Sequence, residues 1–196
     1  MPRFVTVQDW DGYIDRAGRT RRLVLEALAV AATVLVLAGT VDAASDPEAP
    51  RRDATIRPVS TQQFVQLAAA SNQFGIDSGR LALGKAADPR VKQLAETIIA
   101  EHERAGQEMA TLARAAGVNA PRPALDGKQA DVMQRLGAAA GPEFDRAFVQ
   151  AQQEAHTQAI ALFGAYAETG EDVRFKAWAQ TVLPTLQRHL QQVNAL

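Results

Sequence analysis

The sequence predicts an all-α four-helix bundle with a long, helix-containing crossover between its second and third long helices. Three observations predict it. Apolar residues recur at three- and four-residue steps over four long stretches, the spacing of a buried helix face. The composition is alanine-rich and only 6% aromatic, which favours helices over a sandwich or barrel. No strand alternation, Gly-rich phosphate loop or nucleophile elbow interrupts the stretches.

Ser60 or Thr61 caps the first helix, which runs to about Ala87 with Phe64, Leu67, Ser71, Phe74, Ser78 and Leu81 on one stripe. Asp88 caps the second, and Pro89 takes its first position, where a missing N–H costs nothing. The second helix has the cleanest seam: Val91, Leu94, Ile98, His102, Ala105, Met109, Leu112 and Ala116, ended by Gly117. Residues 117–141 form the crossover, with Pro121, Pro123 and a short helix near Gln129–Ala139. The third long helix runs from Pro142 to about Glu168, with Phe144, Phe148, Ala151, Ala155, Ala159 and Leu162 on one stripe and Val149, Gln153, His156, Ile160 and Phe163 on the next. Gly170 breaks the chain. The fourth, from about Glu171 to the end, turns Phe175, Trp178, Val182, Leu186, His189 and Val193 inward. A short link, a long crossover and another short link suit a ferritin-like topology, with the first pair antiparallel and the second and third helices parallel.

The chain ahead of the bundle reads as an address. Arg16, Arg19, Arg21 and Arg22 precede an apolar run from Leu23 to Ala38, and small residues lead to Ala43. That is the order of a secretory signal over residues 1–43, cut after Ala43. The alternative is an uncleaved N-terminal anchor, although the run is shorter than the roughly 20 residues that span a bilayer. Thr20-Arg21-Arg22-Leu23-Val24-Leu25 also resembles a twin-arginine signal, from which Val24 and Glu26 depart. The expected location is therefore the periplasm or cell envelope. Residues 44–60 carry three prolines and no apolar period, as a flexible linker does. Residues 61–196 are the size of one domain.

Composition also excludes. With Cys at 0, there is no disulfide framework, thiolate site or thiol nucleophile. Lys+Arg is 21 and Asp+Glu is 22 for a net charge of -1, and this balance argues against a nucleic-acid partner.

The chain has 3 histidines, and His102, His156 and His189 fall on three different helices. At about 1.5 Å of rise per residue they lie roughly 20, 18 and 27 Å up the bundle. Three imidazoles at mid-bundle would make nitrogen ligands for one transition metal ion such as Zn, Fe, Cu or Ni. The plain alternative is a packed or water-bridged polar layer that binds nothing. Ferritin-like dinuclear sites need Glu-x-x-His. Here Ile99, Gln153 and Leu186 stand where the acids would be, which argues against a dinuclear oxidase. Phe144 reads as a core aromatic, and Tyr166 and Trp178 as core or semi-buried aromatics rather than parts of a ligand cage. Asp145 reads as a charge favouring its helix's positive end or pairing with an arginine.

From Phe64 onward, several segments resemble a bacterial exported family catalogued as domain of unknown function 4142. They are Leu81-Ala82-Leu83-Gly84-Lys85-Ala86, Leu94-Ala95 followed by Glu101-His102, Gly141-Pro142-Glu143-Phe144-Asp145-Arg146-Ala147-Phe148 leading to Ala155-His156, and Leu183-Pro184-Thr185-Leu186-Gln187-Arg188-His189-Leu190. The resemblance implies a ferritin-like bundle and, from labels common in the family, an outer-membrane setting, with activity unassigned. The family pattern has an acid before the first His, here Glu101, and a Glu near the position of Gly75. This chain has Gly there, with Asp77 two residues on and rotated by about 200°. Glu101 and Asp77 are thus the acids nearest to completing a metal set.

Taken together, the sequence favours an exported cell-envelope module of binding or structural kind, and leans away from an enzyme. Its partner would be an envelope protein or a small ligand held between helices, with membrane contact only through an uncleaved N-terminal segment. The alternative is a protein that binds or stores a transition metal, or uses it in redox protection, through His102, His156 and His189.

Overall fold

The computed structural model describes residues 59–120 and 124–196. The expected signal or anchor over 1–43 and almost all of the linker over 44–60 lie outside the described residues. Those residues form five helices, α1 (Thr61–Lys85), α2 (Pro89–Ala116), α3 (Gly127–Ala138), α4 (Gly141–Thr169) and α5 (Val173–Asn194). No strand occurs among them. The four long helices are the bundle, and α3 is the helix of the crossover.

Local chemistry sets the boundaries. Ser60 and Gln63 cap α1 reciprocally, and Asp126 and Gln129 do the same for α3. Asp88 and Pro89 open α2, and Gly117 closes it at φ 67, a left-handed turn that suits glycine. Asp172 accepts from the backbone N–H of Arg174 and Phe175, so α5 begins at Val173 rather than near Glu171. Pro184 lies inside α5 without ending it. The carbonyl it leaves without a helical donor belongs to Gln180, an exposed residue.

Neighbouring helices are antiparallel. On α1 and α2, Gly79 faces Ile99, Gly75 faces His102 and Gly106 faces Asn72. On α4 and α5, Gln153 meets Asn194 and Phe163 meets Trp178. The hairpins α1–α2 and α4–α5 join chiefly through α1 against α4, while α2 and α5 touch over far fewer residues. The order around the bundle is therefore α1, α2, α5, α4, with α2 and α4 parallel across the diagonal. The ferritin-like expectation of parallel second and third long helices is what the fold has.

The core has two apolar ends. At one, Phe74, Val91, Leu136, Phe144 and Phe148 pack together. At the other, Phe64 stacks on Tyr166 with ring centroids 3.9 Å apart, and Phe163, Phe175 and Trp178 meet it edge-on. Burying each of these phenylalanines is worth about 1.5–3 kcal/mol. Asp145 clamps the first end in an unforeseen way. Its carboxylate accepts from the backbone N–H of Ala87 at 3.0 Å and of Asp88 at 2.9 Å, so it serves the start of α2. Between the two ends the buried polar residues are Ser78, His102, Gln152, His156 and His189.

Candidate metal centre

Each histidine reaches this layer from its own helix: His102 from α2, His156 from α4 and His189 from α5. Their rings converge. Centroids lie 5.8 Å apart for His102 and His156, 5.6 Å for His102 and His189, and 5.3 Å for His156 and His189. One nitrogen from each ring can be chosen so that all three lie within 4.8 Å of one another. Relative exposure is 7% for His102, 2% for His156 and 0% for His189.

The outer partners fix the protons. His156 Nδ1 lies 2.9 Å from the Gln152 carbonyl oxygen, which can only accept, so Nδ1 carries the hydrogen. His189 Nε2 lies 2.7 Å from a Glu101 carboxylate oxygen, so Nε2 carries the hydrogen there. The neutral tautomers then turn His156 Nε2 and His189 Nδ1, each with a lone pair, toward each other at 3.3 Å. Arg188 holds the same Glu101 oxygen at 2.6 Å and steadies the orienting carboxylate.

His102 is the exception. Both of its ring nitrogens are buried without a hydrogen-bond partner, as is Gln152 Oε1. Both residues border one small cavity that Ser71, Gly75 and His156 also line. Orphaned buried polar atoms are costly, so a group of them in one cavity fits a bound species. Gly75 makes the ring's position attainable, because a Cβ there would sit 2.6 Å from His102 Nδ1. The glycine that departs from the resembling family's acid is therefore the space in which His102 lies.

All three imidazoles are held neutral. Burial lowers the His102 pKa to about 3, helped by the neighbouring His156 and His189 and opposed by the Asn72 backbone, which closes no hydrogen bond. Burial likewise lowers His156 to about 4, against the Gln152 backbone. Burial lowers His189 too, with Glu101 opposing. Neutral imidazoles are the ligand form.

Of the residues singled out from sequence, the structure brings together His102, His156 and His189. Glu101 does not join their ligand atoms. It stands behind His189 as the orienting acid. Asp77 stays apart, because its carboxylate takes the Gln73 side-chain amide at 2.8 Å and faces Arg80 on α1 itself. Sequence reading took Gly75 only as the place of a missing acid, and it missed Gln152. A helix-interior glycine costs about 1 kcal/mol, and one facing a seam histidine was the available signal. For Gln152 the signal was its place four residues before His156, where a helical carbonyl can be reached.

These residues could hold one transition-metal ion. Metal–nitrogen bonds of about 2.0–2.1 Å set ligand nitrogens roughly 3.3–3.6 Å apart. His156 and His189 already stand at that separation, and His102 would close by no more than about 1.5 Å to reach it. His102 has no hydrogen bond to break in doing so.

Solved structures share the fold. CopM in a silver-bound form is 25% identical over 68% of this chain and 92% of its own, with a TM-score of 0.55. CopM has also been solved with Cu(I) and with Cu(II). A DUF305 fragment from Deinococcus radiodurans is 16% identical over 70% of this chain and 96% of its own, with a TM-score of 0.61. A DUF305 protein from Streptomyces coelicolor, described as secreted, is 14% identical over 68% of this chain and 88% of its own, with a TM-score of 0.58. No curated protein matches the chain. No outer-membrane assignment comes with any of these matches. The family model for DUF4142, a domain of unknown function, matches residues 45–196, and the chain belongs to that family.

Proposed function

We propose that this domain binds a single transition-metal ion through His102, His156 and His189, and that a soft monovalent ion, Cu(I) or Ag(I), is the class it takes. The observation that supports this most directly is the proton arrangement: the Gln152 carbonyl and the Glu101 carboxylate hold hydrogens on the outer nitrogens. The inner lone pairs then face a common point beside an orphaned third imidazole. Outer partners that orient metal-ligating histidines act in this way. The donors are three neutral nitrogens in a buried layer, and a single charge is cheaper to bury there than a double one. CopM, which shares the fold, has been solved holding copper and silver. Exported through the leader over 1–43, the protein would buffer such ions in the envelope.

The envelope-partner reading has less in its favour. Among the described residues the exposed large hydrophobics are Leu83 and Val173, which is little apolar surface for docking.

The test is metal content of untagged full-length protein, together with melting curves on adding Ag(I), Cu(I) or Zn(II). A bound ion at 100 times its dissociation constant adds about 2.7 kcal/mol. We expect one Ag(I) or Cu(I) per chain, a higher melting temperature, and loss of both in His102→Gln. No bound metal and unchanged melting would overturn the proposal.

A further inference from the structure

The geometry points to the cleft between α2 and α5 as the route by which a soft monovalent cation reaches the three histidines, with the Met109 thioether as its transit ligand. This rests on the metal-centre reading above and adds a path and a residue to it.

Four observations converge on that cleft. First, α2 and α5 are the adjacent pair that touches least. Second, a cavity of about 30 Å³, partly open to solvent, lies there. Its wall includes Glu101, His102 and Met109 of α2 and Trp178, Val182 and Thr185 of α5, and residues of α1 and α4 complete it. That is space for a water or an ion rather than for an organic molecule. Third, His102, with both nitrogens orphaned, borders this cavity as well as the smaller one at the centre. It is the one ligand that both spaces reach. Fourth, Met109 is 5% exposed and also borders the cavity. A thioether is a soft donor that selects Cu(I) over Zn or harder ions.

Met109 stands off from the point where the three imidazoles converge. It lies seven residues further along α2, about 10.5 Å of helical rise. Two donors so separated on one face hand an ion on rather than hold it jointly. Carboxylates flank the cleft, with Glu101 at the histidine end and Glu108 toward the far end. The Trp178 indole N–H donates to Glu108 Oε2 at 3.3 Å across an exposed position. A cation would therefore meet negative charge first, sulfur next and imidazole last. A transit ligand lowers the barrier equally in both directions, so it changes rates and leaves affinity alone.

The experiment follows Ag(I) uptake by stopped-flow fluorescence. The full-length chain carries 2 tryptophans. Trp10→Phe leaves Trp178, on the cavity wall, as the sole reporter. In this background Met109→Leu, a near-isosteric swap that keeps the core filled, should slow uptake and release alike by about tenfold, the equivalent of ~1.4 kcal/mol in barrier. Its equilibrium affinity should stay within about threefold of the parent's. Glu108→Gln should slow uptake at low ionic strength and have no effect at high ionic strength. Uptake by Met109→Leu at the parent rate would overturn the route and leave the histidine site standing. A loss of affinity as large as that of His102→Gln would also overturn it, by making Met109 a resting ligand. A parent chain that binds no Ag(I) would overturn both the route and the site.

Discussion

Acidification from pH 7 to pH 5 should destabilise the metal-free bundle, and the histidine layer sets by how much. In the unfolded chain each histidine titrates near 6.5, so at pH 5 it is about 97% protonated. In the folded protein His102 and His156 titrate at about 3 and about 4, so both stay neutral there. The unfolded state then binds more protons, and stability falls as pH falls below 6.5. For either residue the loss between pH 7 and pH 5 is about 2 kcal/mol, nearly independent of how far below 5 the folded value lies. His189 moves in the same direction. Together His102 and His156 contribute about 4 kcal/mol, or roughly 10–20 °C in melting temperature for a domain of this size. Asp88 and Asp172 are held below the ordinary carboxylate range, first by side-chain hydrogen bonds from Arg90 and Arg174. They therefore act below this window. The assay is circular-dichroism melting at pH 7, 6 and 5 with a chelator, on the parent chain and on His156→Gln, which should lose about a third to a half of the slope. Equal melting temperatures at pH 7 and pH 5, or an unchanged slope in the variant, would refute the buried-neutral account.

Two further outcomes follow from single contacts. Gly75→Ala places a methyl group 2.6 Å from His102 Nδ1, and overpacking of this kind costs about 1–3 kcal/mol, partly offset by the better helix propensity of alanine. Urea denaturation and Ag(I) titration should both show a loss, and a variant more stable than the parent with full affinity would contradict the packing described. Asp145→Ala removes the acceptor shared by Ala87 and Asp88 N–H. It should cost about 1–2 kcal/mol in the same denaturation assay, as loss of a helix cap does, without altering metal affinity. No change in the midpoint would show that solvent replaces the clamp.

The helices were legible because burial imposes a period that survives in one sequence. The α2 seam from Val91 to Met109 is buried at Val91, Leu94, Ile98, His102 and Met109. Depth was legible more coarsely. Counting rise placed His189 about 7–9 Å above the other two, yet its ring lies 5.3 and 5.6 Å from theirs. The Asp172 cap starts α5 two residues late, and side chains lean along a helix axis. Roles set by partners on other helices were not legible. Glu101 neighbours His102 in sequence, but a turn of about 100° per residue sends it to His189. The proton on each imidazole depends on whether a carbonyl or a carboxylate stands behind it, which no spacing on a single helix encodes. Asp77 is a different case, because Gln73 and Arg80 claim it at four- and three-residue spacings on its own helix.

The histidines are divided unequally between the two hairpins, one on α1–α2 and two on α4–α5. An ion held by all three would stitch those halves together beside α2 and α5, the long neighbouring helices that touch least. In a chain whose free cysteines are none, that makes the occupant a removable cross-link. It would join segments far apart in sequence, as a disulfide does, but it would open and close with the supply of an ion rather than of an oxidant. Fluctuations that swing one hairpin away from the other would then be the motions most strongly damped when the ion is present. The rigidity of the whole bundle would rise and fall with the metal content of its surroundings.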